Sequence, residues 1–409
     1  MRDVEPCGEP DGMSRTFRVA VAVSHPIQHF CPQYTSWAKL ENVDLKVFFA
    51  SDHGLSAYED TGFGRMVQWS GLRLDFPHEF LGGAQGKAVG SDLDSADLEA
   101  RLSTFSPDAL VAYGYSQRLQ RRAVRWARSA GVAVVMVSDS ELRAARRWST
   151  RAVKAIVLPR VFRDVSVFLT VGDANDAYYR HYGVPDDRLI RGGFPIDVCH
   201  YDRVVARRQE CRDRVRTELS IPEHHTVLLT VGKLLPRKRQ ADLVRFSNSL
   251  QGRRDDVTVV LAGTGEQDAA LRLLARRTGA GGVAFAGFVS PERLSDYYCA
   301  ADVYVHCSDN EPHAVAISEA VYCGLPVVLS DRCGSYGPAD DVQPGLNGFV
   351  YQCGDVHDLS RRLLRVLDDE NLRADMGAAS ARIGRAHQAL AHGTALTQAL
   401  TLLESHGRP

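Results

Sequence analysis

Along this chain, apolar and β-branched runs of four to eight residues alternate with longer segments in which apolar residues recur every three to four positions, a pattern of short buried strands joined by helices. Two series of such runs stand out. The first comprises FRVAVAVS (17–24), DLKVFFA (44–50), ALVAY (109–113), AVVMVS (133–138) and SVFLTV (166–171). The second comprises HTVLLTVG (225–232), VTVVLAG (257–263), VAFAGF (283–288), DVYVHC (302–307), LPVVLS (325–330) and GFVY (348–351). Alternation of this kind builds parallel sheets with crossover helices, so the expected class is α/β, with two doubly wound Rossmann-like domains facing across a cleft. In such sheets ligands sit outside the carboxyl ends of the strands.

A Pro/Asp-containing connection near Phe194 to Asp197 separates the two series. It divides the chain into a polar lead-in over 1–15 expected to be disordered, an N-terminal domain over 16–195, a C-terminal domain over 196–385, and a helical end over 386–409 expected to return to the N-terminal domain. A chain of 409 residues exceeds what one hydrophobic core usually supports, which agrees with two domains. The start lacks an apolar h-region and no run of 18 apolar residues occurs, so neither secretion nor a membrane span is indicated. Nine cysteines without C-x-x-C spacing read as reduced thiols, giving a cytoplasmic expectation and no metal site.

The net charge of -1 gives no global reason to expect nucleic acid, and a small-molecule partner is expected instead. All but six of the 49 basic residues are arginine, which matters because two of the six lysines, Lys233 and Lys238, fall in one short motif. There the strand HTVLLTVG ends in Gly232 and runs into KLLPRKR before a helix near Gln240. Glycine lets a diphosphate approach the backbone, and cations before a helix N-terminus add to its dipole. Lys233 and Lys238 are therefore diphosphate candidates, with a solvated basic loop as the alternative. Gly263 and Gly265 mark a second strand-to-helix turn; Asp268 stands where a dinucleotide fingerprint needs a third glycine, so a plain tight turn is an equal reading.

The segment DNEPHAVAISEAVYCGLPVV carries Glu311 ahead of a helix whose first turn is expected near His313 to Ala316, with Glu319 inside it and Cys323-Gly324-Leu325-Pro326 ending it. Amides at His313, Ala314 and Val315 would face an anion. Eight helical residues rise about 12 Å, so the two carboxylates suit two ends of an extended ligand better than an acid and base on one bond. A carboxylate grips vicinal hydroxyls well. The alternative is a capping acid and a solvent-facing helix residue.

In order and spacing, VGKLLPRK, LAGTGE, FAGFVS, AADVYVHCS, the pair of glutamates in EPHAVAISE, EAVYCGLPVV and GLNGFVY resemble the C-terminal domain of retaining GT-B glycosyltransferases of family 4, also called group 1, over Thr226 to Asp369. The resemblance implies a metal-independent transferase with a nucleoside diphosphate sugar as co-substrate and no bound cofactor. It assigns Lys233 and Lys238 to the diphosphate, Gly265 to the donor loop, Glu311 to the sugar, Glu319 to the ribose and Phe288 to the nucleobase side. By the same resemblance Glu311, Lys238, Lys233 and His25 are the catalytic candidates. Two positions depart from the family: Lys233 replaces a usual arginine, and His313 and Ala314 replace a usual aromatic-glycine pair.

In the N-terminal half, SHPIQHFCPQY (24–34) resembles the H-P-I-Q start of a subset of these enzymes, as does GDANDAYYRHYGVPDDRLIRGGFPID. The resemblance makes His25, Gln28 and His29 acceptor-side candidates, joined by the strand-end residues Tyr113 and Asp139; each equally reads as a packed or capping residue. The segment 142–163 is a basic amphipathic stretch, with Arg146 and Arg147 among its cations, for which a solvated face or an anionic acceptor is expected ahead of membrane contact. The acceptor is expected to be a hydroxyl of a small or lipid-linked molecule. A GT-B phosphorylase or sugar-phosphate-accepting synthase, and a non-catalytic GT-B partner protein, are the rival readings. The phosphorylase or synthase would need a further anion pocket on the N-terminal side.

Overall fold

The computed structural model describes residues 15–405 apart from 57, 61, 63, 64, 68–71, 144–147 and 278–281. Its strands run in chain order as β1 (Phe17–Val23), β2 (Val43–Phe49), the antiparallel pair β3 (Tyr58–Asp60) and β4 (Arg65–Val67), β5 (His78–Phe80), β6 (Ala109–Tyr113), β7 (Ala133–Ser138), β8 (Val167–Thr170) and β9 (Leu189–Arg191). They continue as β10 (Thr226–Val231), β11 (Val257–Ala262), β12 (Val283–Gly287), β13 (Val303–His306), β14 (Val327–Ser330) and β15 (Gly348–Tyr351). One sheet has the order β5-β2-β1-β6-β7-β8-β9 and the other β12-β11-β10-β13-β14-β15. All neighbours within both sheets are parallel.

Each central strand is buried on both faces, which is why it reads as a continuous apolar run rather than as an alternation. In the first sheet Ala20, Ala22 and Leu110 fill one core while Val19, Val21 and Val111 fill the other. In the second, Val227, Leu229 and Val260 face one core and Leu228, Val259 and Leu261 the opposite one. The eleven expected strands are all present. The edge strands β5 and β9 and the β3–β4 pair were not expected; at three residues each, they are too short to show a period.

The chain passes between the sheets twice. It leaves β9 through 192–197, and it returns by a helix over Glu370–Ala389, a π-helical turn over Leu390–Thr394 and a final helix over Ala395–Ser405. The final helix buries Leu396, Ala399 and Leu400 against Val21 and Trp37 of the first domain. The Ala391 carbonyl accepts from Trp37 Nε1 at 3.0 Å and from Gln33 Nε2 at 2.8 Å. Beside it, His392 Nε2 meets the Ile196 carbonyl at 2.9 Å and Gln388 accepts from the Ile196 amide at 2.9 Å, so the two crossings are bonded to one another.

Of the lead-in read over 1–15, all but Arg15 lies outside the described residues, and so do Arg146 and Arg147 of the basic stretch. The rest of that stretch is a helix over Trp148–Arg163. It buries Leu158 and Phe162 and leaves Trp148 83% exposed, with Val153 and Ile156 exposed on the same element. No helix among the described residues is long and apolar enough to cross a membrane.

Candidate functional site

A cavity of about 1380 Å³ lies between the two sheets, walled by residues of both domains. Its C-terminal wall starts where β10 and β11 end. A Cβ on Gly263 would lie 2.0 Å from the Gly232 carbonyl oxygen, so the two loops meet backbone to backbone, and only glycine permits it. Gly265 keeps the same fit one step further on, where a Cβ would come 2.5 Å from the Leu234 carbonyl. It braces the loop and does not line the cavity, which corrects its expected place against the donor.

This packing sends Lys233 and Lys238 into the cavity, Lys238 through a 3-10 turn over Pro236–Lys238. The Lys238 ammonium is ion-paired with Glu311 Oε2, and Arg237 lies 3.6 Å from the same oxygen. Burial raises the Glu311 pKa, but the His306 hydrogen bond and the Lys238 charge outweigh it and hold the carboxyl down at about 2. Glu311 is thus a fixed anion. The Lys233 ammonium instead reaches the opposite domain, 2.7 and 2.9 Å from the two carboxylate oxygens of Asp60.

The helix after Glu311 spans Val315–Tyr322, starting later than the sequence reading placed it, with Ala314 as its N-cap. The Ala314 amide is already taken by Ser335 Oγ at 3.1 Å, which corrects its place among the anion-facing amides. No described residue supplies an acceptor to the amides of Val315 and Ala316, at the positive end of the helix dipole and on the cavity wall. Glu319 lies one turn in and receives the Tyr298 hydroxyl at 2.7 Å. Burial pushes its pKa up to about 7, against the opposing hydrogen bonds of Tyr298 and Tyr201. The two glutamates therefore differ in kind: one is locked as an anion, the other is poised near neutrality. Phe288, His313 and Ala314 also line the cavity.

On the N-terminal side, Gln28 and His29 line the same cavity, but His25, Tyr113 and Asp139 do not. His25 turns to Ser24 Oγ at 2.8 Å and packs edge-on to His53, with ring centroids 5.3 Å apart. Tyr113 packs against Phe30 at 4.7 Å within the aromatic core, and Asp139 is an exposed residue with no helix starting on it. The sequence placed all three at strand ends but had no way to tell cavity from core. Burial, with His53 as second cause, lowers His25 to about 4, and burial, with His25 second, does the same to His29. His29 is therefore a neutral imidazole on the cavity wall at neutral pH.

Phe194 links the halves: its ring lies 5.1 Å from His29 and, nearly parallel at 18°, 5.0 Å from His313. His313 is held 3.2 Å from Asp341, which also accepts from Ser318 at 2.5 Å and meets His387 at 2.8 Å. His313, Asp340 and Asp341 come within 4.8 Å of one another and form a group that could hold a metal ion. Their oxygens are already committed, however, since Asp340 takes the Asp173 amide at 2.7 Å from the other domain. The group acts as an interdomain latch. Asp60 carries no local motif, and the motifs that contain Phe194 and His306 do not single them out; the contacts of Asp60 and Phe194 come from partners that are distant in sequence.

Residues 212–382 match the family model described as glycosyl transferases group 1. The chain is 30% identical over 192 residues, 45% of its length and 48% of the relative's, to a GDP-mannose-dependent monoacylated alpha-(1-6)-phosphatidylinositol monomannoside mannosyltransferase of Corynebacterium glutamicum. It is 28% identical over 277 residues, covering 66% of its own length, to a GDP-mannose-dependent alpha-(1-6)-phosphatidylinositol monomannoside mannosyltransferase of Mycobacterium tuberculosis and covers 69% of that protein. The chain spans about half the length of several such relatives. Among solved structures, Anabaena HepE in complex with UDP and glucose superposes with a TM-score of 0.65 at 17% identity, over 95% of this chain and 100% of that one. The likeness is one of fold: two Rossmann-like domains in the GT-B arrangement.

Proposed function

We propose that this chain is a retaining, metal-independent glycosyltransferase that moves a sugar from a nucleoside diphosphate sugar to an acceptor hydroxyl. The observation that carries the reading is the convergence of Gly232, Lys233, Lys238, Glu311 and Glu319 on one interdomain cavity. In this reading Lys233, Lys238 and the Val315 and Ala316 amides meet the diphosphate, whose charge grows as the glycosidic bond breaks, so electrostatic stabilisation is the main catalytic contribution. Glu311, locked as an anion, accepts hydrogen bonds from the sugar hydroxyls, and Glu319 accepts from the ribose diol. The acceptor hydroxyl enters past Gln28 and His29, in keeping with the H-P-I-Q resemblance. His25, away from the cavity wall, positions that loop rather than touching substrate.

The family match over 212–382 and the GDP-mannose-dependent relatives support glycosyl transfer, so GDP-mannose, together with the UDP-glucose held by Anabaena HepE, is the first nucleotide sugar to try. A thermal-shift panel of nucleotides and nucleotide sugars tests the reading directly, because a ligand of the folded state raises stability by RT ln(1 + [L]/Kd). Stabilisation by at least one nucleoside diphosphate, unaffected by a chelator, is expected. No stabilisation by any member of a complete panel would remove the donor site from this cavity.

A further inference from the structure

Val303, Val305 and Cys307 fill one core of the second sheet, and Tyr304 fills the other. With a side-chain period of two, His306 shares the Tyr304 face of β13, and Ser308 follows just past the strand end. A buried parallel strand is ordinarily apolar on both faces, yet here Tyr304, His306 and Ser308 are 0%, 3% and 1% exposed. Three buried polar side chains in succession need partners. They find them in one row: the Tyr304 hydroxyl lies 3.2 Å from His306 Nδ1, and Ser308 Oγ lies 3.0 Å from His306 Nε2 and 3.4 Å from Glu311 Oε2.

Glu311 sets the direction of every hydrogen in the row. As a carboxylate it only accepts, so Ser308 donates to it. His306 Nε2 lies 3.7 Å from the same Oε2, where a lone pair would face an anion and an N–H is attracted, so Nε2 carries the proton and donates to Ser308. Burial first, and the Lys238 charge with it, keeps the ring neutral against the pull of Glu311. Nδ1 is therefore an acceptor, and Tyr304 donates to it. The row ends on one oxygen, because the Lys238 ammonium and Arg237, at 3.6 Å, also approach Oε2. Among the described residues none is bonded to Oε1. The main chain is pinned as well: the Gly334 amide donates to the Glu311 carbonyl at 2.8 Å, and the Ser330 hydroxyl to the Ser308 carbonyl. Since Glu311 lines the cavity, Oε1 is the oxygen left to a ligand there.

We propose that Tyr304, His306 and Ser308 are positioning residues whose hydrogen-bonded row holds Glu311 by Oε2 and presents Oε1 to the hydroxyls of the donor sugar. The proposal deepens the glycosyltransferase reading and rests on it for the identity of the ligand, whereas the row itself belongs to the free chain. The terminal torsion of a glutamate is broad and two-fold, so an ion pair with Lys238 alone lets the two oxygens exchange. Hydrogen bonds from Ser308 and His306 to one oxygen remove that freedom, and a sugar hydroxyl then meets an acceptor already in line, as a strong hydrogen bond requires.

Two measurements on the full chain test this. In NMR of the protein carrying 15N-labelled histidine, the ring signals lost in His306→Gln are expected to be those of a neutral imidazole with its proton on Nε2, and Tyr304→Phe is expected to move the Nδ1 resonance. A proton on Nδ1, or an imidazolium, in the wild type overturns the row whatever the protein binds. Calorimetry with GDP and GDP-mannose, and with UDP and UDP-glucose, then reads its purpose. Ser308→Ala is expected to weaken nucleotide-sugar binding about ten-fold, as loss of a hydrogen bond to a charged group does, and Tyr304→Phe several-fold, with the free diphosphates unaffected. His306→Gln, whose amide keeps a donor toward Ser308, is expected to retain most of the affinity. Tyr304→Phe keeps the ring packing and carries the test where a larger change unfolds the chain. Equal losses for diphosphate and nucleotide sugar, or no loss for either, overturn the positioning role and leave the transferase reading standing. No nucleotide binding by the wild type removes the donor site, and with it the role given to Oε1, while the ring signals still decide the row.

Discussion

Lys233 of the C-terminal domain and Asp60 of the N-terminal domain meet across the cleft, ammonium nitrogen to both carboxylate oxygens at 2.7 and 2.9 Å. A diphosphate that needs Lys233 must displace Asp60 or bind beside its charge. The two side chains are 32% and 13% exposed, so the pair contributes modestly, on the order of 1 kcal/mol. Asp60→Asn is accordingly expected to tighten nucleoside diphosphate binding by about five-fold and to make it less sensitive to salt. Calorimetry that found weaker binding in this variant would show that Asp60 helps the ligand instead of competing with it.

Lys238 and Glu311 are mutually dependent, because removing Glu311 leaves the Lys238 charge without its carboxylate and removing Lys238 leaves Glu311 only the more distant Arg237 and His306. Lys238→Ala and Glu311→Ala are each expected to lower kcat by about 100-fold or more, as loss of charge stabilisation does. Full turnover in Lys238→Ala would end its assignment to the diphosphate. The pair is best tested as a double-mutant cycle, with the double variant expected to lose far less than the sum of the two singles.

Glu319 titrates where assays are run. Its carboxyl is raised from the ordinary 4.5 to about 7 by burial, so between those values the folded chain holds a proton that the unfolded chain has released. Its contribution to stability is therefore fully present below the unfolded value and is lost as pH rises through the folded one. In the proposed donor site ribose binding would run the opposite way, since the diol needs the carboxylate as acceptor. Nucleoside diphosphate affinity should be about ten-fold lower at about pH 6 than at about pH 8, one pK unit either side of the transition. Glu319→Gln should flatten the profile and weaken binding throughout; a wild-type affinity independent of pH counts against the ribose role.

Gly263 is a packing requirement with a functional consequence. Its backbone has φ +152, and an added Cβ would lie 2.0 Å from the Gly232 carbonyl, an atom that cannot rotate away. Gly263→Ala should cost roughly 1–3 kcal/mol of stability and push Gly232 and Lys233 off the cavity wall, so that nucleotide affinity falls with the melting temperature. Gly252→Ala, with φ +67 and nothing within 4 Å of the added carbon, is the control, expected to lose stability without losing affinity.

For stereochemistry, proton NMR of the first product formed should show the donor's anomeric configuration preserved. Inversion would overturn the retaining assignment.

The sheets were legible because buried parallel strands are continuous apolar runs, and the C-terminal wall was legible because its motifs lie in unbroken local stretches. Lys233, Lys238, Glu311, Glu319 and Phe288 reach the cavity as their motifs implied. Local sequence could not separate His29, which faces the cavity, from His25, which turns back on Ser24, since the two differ only in how one loop packs. Nor could it reveal that Asp60 would arrive opposite Lys233, or Phe194 between His29 and His313, because those encounters belong to the docking of two domains and leave no periodic trace.

The two crossings between the domains, at 192–197 and 390–394, are tied to each other through Ile196, Gln388 and His392. A door hung on adjacent pins swings about one line and cannot slide. A relative rotation of the domains would pivot at this bonded pair of crossings, and Phe194, which lies within one of them, would move least from its two histidines.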